Sequence, residues 1–352
     1  MLNLFQPLQA GQHILLAFSG GIDSSAAAVL AKQAGLQVHA VYMDLFPGKD
    51  LTRVREVADR LEIDLTVLDL TESFREKVMR YCWEEYRNGR TPNPCALCNP
   101  VFKFGVLTDY AKKMQYHALV TGHYASLQMQ SSGHKALFRG ADRKKDQSYF
   151  LFGLTQDQLD FSCFPLGGMT KDQVRTIVTD LDLPNASDPE SQDICFATPE
   201  LPVGELLRQT FQGDVPAGNF VDPDGKILGK HNGIHTFTPG QRKGTGVALG
   251  KPAYVRSISA ERNEVELVTD SSLLMADTLR FRRLISHCES LPSEFRALIQ
   301  IRYRSIPVEG TVTVTNDGCG TVRFDTPVRS VTPGQAVVFY DDLRQIAGGW
   351  IE

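Results

Sequence analysis

Between His13 and about Ala125 the chain repeats one alternation, a short apolar run followed by a longer amphipathic stretch. The runs HILLAF, QVHAVYMDL and LTVLDL each lead into helical spacing, the second helix ending near Leu61 and the third near Tyr86. After the loop NGRTPNPCALCNP come a helical VFKFGVLTDYAKKM and a strand-like HALVTGHYA. Strands separated by helices line up in parallel with helices on both faces, so the pattern predicts an α/β domain built on a parallel sheet. Ligands of such sheets sit at the carboxyl ends of the strands. At the first of these ends stands Ser19-Gly20-Gly21-Ile22-Asp23-Ser24.

A chain of 352 residues exceeds one ordinary domain. ASLQMQSSGHKALFRG predicts a short hairpin and TKDQVRTIVTDLDLP a helix. From about Pro199 to Thr269, frequent glycines and short strand-like runs predict a small β-rich unit. From about Asp270 onward, ALIQIRYR, GTVTVTND and GTVRFDTPVRSVTPGQAVVFYDD alternate every second residue between turns, the pattern of a small antiparallel barrel or sandwich. The expected division is 1–198, 199–269 and 270–352.

The composition, 42% hydrophobic and 22% charged, contains no apolar run near the ~18–20 residues of a membrane span. MLNLFQPLQAGQH does not read as a secretory signal, and the cytoplasm is the default expectation. A net charge of -4 means that a nucleic-acid partner would be met by local basic patches.

Glycines let a strand-to-helix turn approach a ligand closely, and the helix N-terminus favours an anion. Ser19–Ser24 is not a Walker A loop, because no Lys-Ser/Thr follows its last glycine. A tight turn with Asp23 and Ser24 as helix caps would also satisfy the residues. SGGIDS nonetheless resembles the pyrophosphate loop (PP-loop) of the adenine-nucleotide α-hydrolases, Rossmann-like domains that split ATP between its α- and β-phosphates. The resemblance implies that Ala17, Phe18, Ser19, Gly20, Gly21, Ile22, Asp23 and Ser24 cradle the phosphates, with Asp23 helping to hold Mg²⁺. It also implies that Met43 and Gly122, at the ends of two other strands, flank the adenosine; taken alone, Met43 reads as a core methionine.

Seven cysteines, odd in number and thinly spread, do not form a disulfide framework. Cys95 and Cys98 lie in a loop stiffened by Pro92 and Pro94, and SQDICF supplies Cys195. A structural zinc site would need four ligands, and neither a second C-x-x-C nor an H-x₃₋₅-H follows. Two sulfur chemistries fit three thiols. In one, a cysteine carries a persulfide and another assists its release by forming a disulfide. In the other, Cys95, Cys98 and Cys195 ligate a [4Fe-4S] cluster whose open iron binds sulfide.

Taken in order, LLAFSGGIDSS, TPNPCALCN…KFG, TGHYA, KDQSYFL, DICF, TPGQRKGTGV, RYR and VTPGQAVVFYD resemble the tRNA-specific 2-thiouridylases of the MnmA type over nearly the whole chain. The family implies an N-terminal nucleotide-binding domain, a small central β-rich domain and a C-terminal β-barrel that helps hold tRNA. The implied reaction adenylates O2 of the wobble uridine and transfers sulfur to C2, releasing AMP and pyrophosphate. By position, Cys98 is the catalytic nucleophile and Cys195 the persulfide carrier. Asn93, Pro94 and Cys95 would face the target base, Lys145, Asp146 and Gln147 would touch tRNA, and Arg302 with Tyr303 would contact it from the barrel. The sulfur donor would be a cysteine desulfurase, a relay protein or inorganic sulfide. One departure stands out: many members of the family carry an aspartate where this chain has Cys95, which moves the expectation toward the cluster variant.

Plainer readings of these motifs stay open. KDQSYF also reads as a solvated turn before a strand, and GQRKGTG as a hairpin turn. On an alternating strand Arg302 and Arg304 would share one exposed face, and His123 reads as a structural residue at a strand end. Two rival functions are a PP-loop ligase or amidation enzyme acting on a small molecule, and a non-catalytic, ATP-sensing RNA-binding protein.

Overall fold

A computed structural model of the chain describes residues 4–188, 194–197 and 201–352. Two units emerge, one made of Met1–Arg75, Cys95–Gln192 and Leu343–Ile346, the other of Glu76–Pro94, Asp193–Asp342 and Ala347–Glu352.

In the first unit, β1 (His13–Ala17), β2 (Gln37–Asp44), β3 (Asp64–Asp69), β4 (Leu119–Val120), β5 (Ala125–Met129), β6 (Lys135–Arg139) and β7 (Ser162–Cys163) follow in chain order. Five of them form a sheet ordered β3-β2-β1-β4-β7, every pairing parallel. Ile14, Leu15 and Leu16 are all fully buried, as a strand covered on both faces requires. Ile14 and Leu16 pack with Ala26, Ala27 and Ala28 of α1 (Ile22–Gln33) and with Val54 and Val57 of α2 (Thr52–Arg60). Leu15 belongs to the opposite cluster with Val41, Phe104, Leu107 and Leu119. The α/β class read from the alternation is the one found.

The chain runs outward from β1 to β2 to β3, then returns to the other side of β1 as β4. At such a reversal the two flanking connections leave in opposite directions and open a crevice beyond the strand ends. The ends of β1 and β4, which carry Ser19–Ser24 and Thr121–His123, bound that crevice. β5 and β6 form the predicted hairpin, Ala125 opposite Arg139.

VFKFGVLTDYAKKM is helical but not uniform, with a π-helix over Asn99–Val106 before an α-helix over Leu107–Lys113. The wide turn leaves the Pro100 carbonyl to accept from Gln158 Nε2 at 2.9 Å. A Cβ at Gly105 would lie 2.7 Å from that oxygen, so the close approach needs glycine.

In the second unit, β8 (Gly218–Val221), β9 (Ile227–His231), β10 (Tyr254–Ser259) and β11 (Glu264–Val268) form a sheet ordered β10-β11-β8-β9 around Phe220, Phe237, Val255 and Leu267. β12 (Met275–Ser286), β13 (Glu294–Gln300), β14 (Val308–Val314), β15 (Gly320–Arg329), β16 (Ala336–Asp341) and β17 (Arg344–Ile351), the last of which belongs to this unit from Ala347 onward, run in the order β12-β15-β14-β13-β16-β17. β12 also pairs with β17, closing the ring into an antiparallel barrel rather than a sandwich. The same unit holds the Arg80–Arg87 helix, whose buried Glu85 takes both arms of Arg90 at 2.6 and 2.7 Å. The expected boundary between 198 and 199 lies outside the described residues.

Candidate active site

β1 delivers the chain to Ser19, and Gly20 then turns it with φ +75°. A Cβ on Gly20 would stand 3.1 Å from Val54 Cγ2, so both backbone conformation and space select glycine there. The carbonyls of the turn are drawn backwards. Ser24 Oγ donates to the Gly21 carbonyl at 2.9 Å and Ser25 Oγ to the same oxygen at 3.1 Å. Asn185 Nδ2 donates to the Gly20 carbonyl at 2.7 Å and to Ser25 Oγ at 2.8 Å. No side chain caps α1 among the described residues. An uncapped helix N-terminus of this kind favours an anion.

Asp23 stands in that first turn with its side chain 36% exposed. Its Oδ1 accepts from the Tyr124 hydroxyl at 2.7 Å and pairs with Lys171 Nζ at 2.6 Å. Gly122 approaches from the end of β4, and a Cβ there would lie 2.9 Å from the Asp23 carbonyl carbon. Loop and strand end thus meet over a hydrogen atom. His123 is buried, with Nδ1 2.7 Å from Thr121 Oγ1. Burial, with the Lys103 ammonium adding to it, holds the imidazole well below its ordinary pKa and neutral near pH 7. Met43 is partly buried against the Leu15 cluster.

Mg²⁺ commonly binds one or two carboxylates and completes its shell with substrate phosphates and water. A single partly exposed carboxylate beside an anion loop matches that demand, so Asp23 fits this ion.

The Pro94–Cys98 turn runs straight into the π-helix, a geometry that recurs at functional sites. Cys98 is buried and Cys95 half-buried. Burial raises the Cys95 pKa, partly opposed by Lys103, so the thiol stays protonated at neutral pH. Cys195 is exposed in a turn of the other unit. No disulfide links the cysteines among the described residues. Among the described residues no three His, Cys, Asp or Glu side chains gather where a metal could be held. Cys95 and Cys98 belong to the first unit and Cys195 to the second.

Asn93 and Pro94 are buried and follow Thr91 and Pro92. The carbonyls of those two accept from Gln335 Nε2, each at 3.0 Å. Within KDQ, Asp146 is buried; it takes Arg139 Nε at 2.8 Å and the N–H groups of Gly140 and Ser148. Gln147 is clamped to the backbone of Tyr124, with Oε1 accepting at 3.0 Å. Lys145 is half-buried. Arg302 and Tyr303 lie beyond β13, which ends at Gln300, so the shared strand face expected for Arg302 and Arg304 does not form. Gln300 Nε2 donates to the carbonyls of both Arg302 and Tyr303 and holds a turn instead. Arg302 itself reaches the carbonyls of Pro239 and Ser330.

Lys171, Tyr124 and Asn185 were not singled out from the sequence. The available signal was modest. Lys171 opens a helix behind the T-x-x-Q capping pattern of Thr170 and Gln173, but nothing local says what its ammonium reaches.

Family models match three successive stretches. They are described as the tRNA methyl transferase HUP domain over residues 12–199, the tRNA methyl transferase PRC-barrel domain over 206–269, and the aminomethyltransferase β-barrel domain over 276–351. A protein of Syntrophotalea carbinolica named tRNA-specific 2-thiouridylase MnmA is 43% identical, covering 97% of this chain and 99% of its own. One of the same name from Carboxydothermus hydrogenoformans is 41% identical over 96% and 97%. The tRNA-specific 2-thiouridylase MnmA 2 of Caldanaerobacter subterraneus is 38% identical over 98% and 99%.

Proposed function

We propose, from the fact that this chain belongs to the tRNA-specific 2-thiouridylase family, that it is an ATP-dependent tRNA sulfurtransferase making 2-thiouridine at the wobble position. The observation that carries the reading is the uncapped N-terminus of α1 at the sheet's reversal, with Gly20 and Gly21 before it and Asp23 in its first turn. ATP binds there, with Met43 and Gly122 beside the adenosine. Uridine O2 attacks the α-phosphorus, the bond to the bridging oxygen breaks, and pyrophosphate leaves. When bound at Asp23, Mg²⁺ would neutralise phosphate charge. The crevice shields the adenylated base from water.

Sulfur then arrives from Cys195, whose exposed thiol is accessible to a persulfide-bearing donor such as a cysteine desulfurase or relay protein: the Cys195 thiolate attacks the donor's terminal sulfur and the donor leaves as a thiolate. The terminal sulfur of a Cys195 persulfide bonds to C2 and AMP departs with its electron pair. The Cys98 thiolate attacks Cys195 Sγ, the S–S bond breaks, and the thiocarbonyl is left on the uridine. A Cys98–Cys195 disulfide remains, and a dithiol reductant resets it. Asn93–Cys95, Lys145–Gln147, Arg302 and Tyr303 take the tRNA, which must unstack its target base. With its tRNA and ATP, the reaction belongs in the cytoplasm; no described helix is long and apolar enough to cross a membrane.

The cluster alternative rests on the third thiol, Cys95. It asks for three thiolates in one place, two supplied by the first unit and one by the second. No step is routed through it. The test is conversion of unmodified tRNA in the presence of ATP and a persulfide donor, reading 2-thiouridine by nucleoside mass spectrometry, with iron and absorbance measured on anaerobically purified protein. Product from colourless, iron-free enzyme supports the relay. Iron-dependent product would replace it with the cluster.

A further inference from the structure

We infer that Arg242 and Lys243 hold backbone phosphates of the tRNA anticodon arm, close to the target uridine, from a loop whose two ends the fold fixes in advance. The inference rests on the reading of tRNA as the substrate. A net charge of -4 gives the chain no general attraction for RNA, so phosphate must be met by cations in a defined place. Arg242 and Lys243 are both exposed, and among the described residues neither side chain has an ion pair or a hydrogen bond. The β10-β11 hairpin beside them differs: its Arg256 and Arg262 lie against Glu266 and Glu264, each at 2.7 Å.

At the start of the loop the Gly240 N–H donates to the Val255 carbonyl at 2.7 Å, and the Val255 N–H donates to the Gln241 carbonyl at 2.9 Å. The Gln241 side chain accepts from the Thr238 N–H at 3.0 Å and donates to the Lys243 carbonyl at 2.9 Å, so it braces the residues that carry the charges. Gly240 has φ +88°, and a Cβ there would lie 2.7 Å from Ser330 Oγ, so only glycine lets this turn approach the barrel so closely. Arg302 Nη2 closes the same seam by donating to the carbonyls of Pro239 and Ser330. At the far end Val247 packs on the core around Phe220. Only the tip from Arg242 to Gly246 is left between these anchors. Its position relative to the target base follows from Thr91, whose hydroxyl donates to Thr238 Oγ1 at 3.1 Å. Thr91 stands two residues before Asn93, which faces the base in this reading. Arg242 is four residues beyond Thr238, so its backbone stays within about 14 Å of that threonine. A guanidinium and an ammonium there reach the phosphates next to the extruded uridine. Such contacts fix register without reading sequence, and a braced loop loses little entropy in making them.

Fluorescence anisotropy over a series of salt concentrations tests this, with unmodified tRNA and with its isolated anticodon stem-loop. The proteins are wild type, Arg242→Gln, Lys243→Gln, the double variant, and Lys226→Gln, which removes an exposed lysine from the turn between β8 and β9; each is checked for an unchanged melting profile. Either loop substitution should weaken both RNAs about tenfold and lower the slope of log affinity against log salt by about 1, the pair by about 2. Lys226→Gln should keep the wild-type affinity and slope. Wild-type binding by the double variant overturns the inference, and so does a loss seen with whole tRNA but not with the stem-loop. An equal loss in Lys226→Gln would reduce the effect to net charge and overturn it as well. If the wild type itself binds no tRNA, the functional reading fails first.

Discussion

The side-chain amide of Asn185 reaches across 165 residues of sequence to donate to the Gly20 carbonyl at 2.7 Å, and the same nitrogen donates to Ser25 Oγ at 2.8 Å. Asn185 is fully buried, so one amide sets the direction in which the glycine turn presents its N–H groups.

Removing that amide should therefore loosen the loop before it touches the core. Asn185→Ala leaves a buried carbonyl without its donor, at a cost of about 1–3 kcal/mol. Each kcal/mol lowers the melting temperature by about 2–4 °C in a domain of this size. Asn185→Asp should be worse, because an acceptor would face the carbonyl. Thermal denaturation and ATP titration check both; a variant with wild-type melting and ATP affinity would refute the role.

Gly122 tests the other wall of the crevice. A methyl group there would sit 2.9 Å from the Asp23 carbonyl carbon, a backbone atom that cannot swing aside, so Gly122→Ala must push the first turn of α1 away from β4. The resting fold should survive, since such overpacking costs about 1–3 kcal/mol. What should vanish is the stabilisation by nucleotide, about 2.7 kcal/mol at a hundredfold excess over Kd for an intact site. A full ATP-induced shift in the variant would mean that nucleotide does not enter between β1 and β4.

How much of this was legible beforehand follows from distance along the chain. The anion loop is local: an apolar run, two glycines and a small-residue helix announce it within a dozen positions. β4 is only Leu119–Val120, too short to carry a period, yet it creates the reversal that gives the loop its crevice. Tyr124 and Lys171 meet Asp23 from 101 and 148 residues away. No spacing rule joins residues so far apart. Arg302 shows the opposite failure, a period of two carried past the point where Gln300 ends the strand in a turn.

His123 gives the first unit a pH dependence. In the folded protein its pKa lies well below the ordinary value because burial, and secondarily Lys103, disfavour the imidazolium. In the unfolded chain it titrates near about 6.5. Below that pH the unfolded state takes up a proton that the folded state refuses, so stability falls as pH drops, by up to about 1.4 kcal/mol per pH unit from this group. Denaturant unfolding between pH 7 and 5 should show the fall, and His123→Gln should flatten it. An unchanged slope would place the dependence elsewhere.

Cys95, Cys98 and Cys195 differ in exposure, and that difference predicts their reactivity. Cys195 is exposed, Cys95 half-buried with a raised pKa, and Cys98 buried. Alkylation of the folded protein at pH 8 should label Cys195 well before the other two. Cys95 should begin to react only as pH climbs past the ordinary thiol range, because its folded state holds the proton more tightly; the stability it contributes is lost over the same rise. The half-reactions should separate as well. Cys195→Ala removes the sulfur carrier and Cys98→Ala the thiol that frees the sulfur, and both leave the Ser19–Ser24 loop intact, so each should still release pyrophosphate with tRNA and make no 2-thiouridine. Cys95→Ala should keep both activities if Cys95 neither carries sulfur nor ligates iron. Loss of product in Cys95→Ala, together with iron in the wild type, would replace the two-cysteine relay with a three-thiolate cluster.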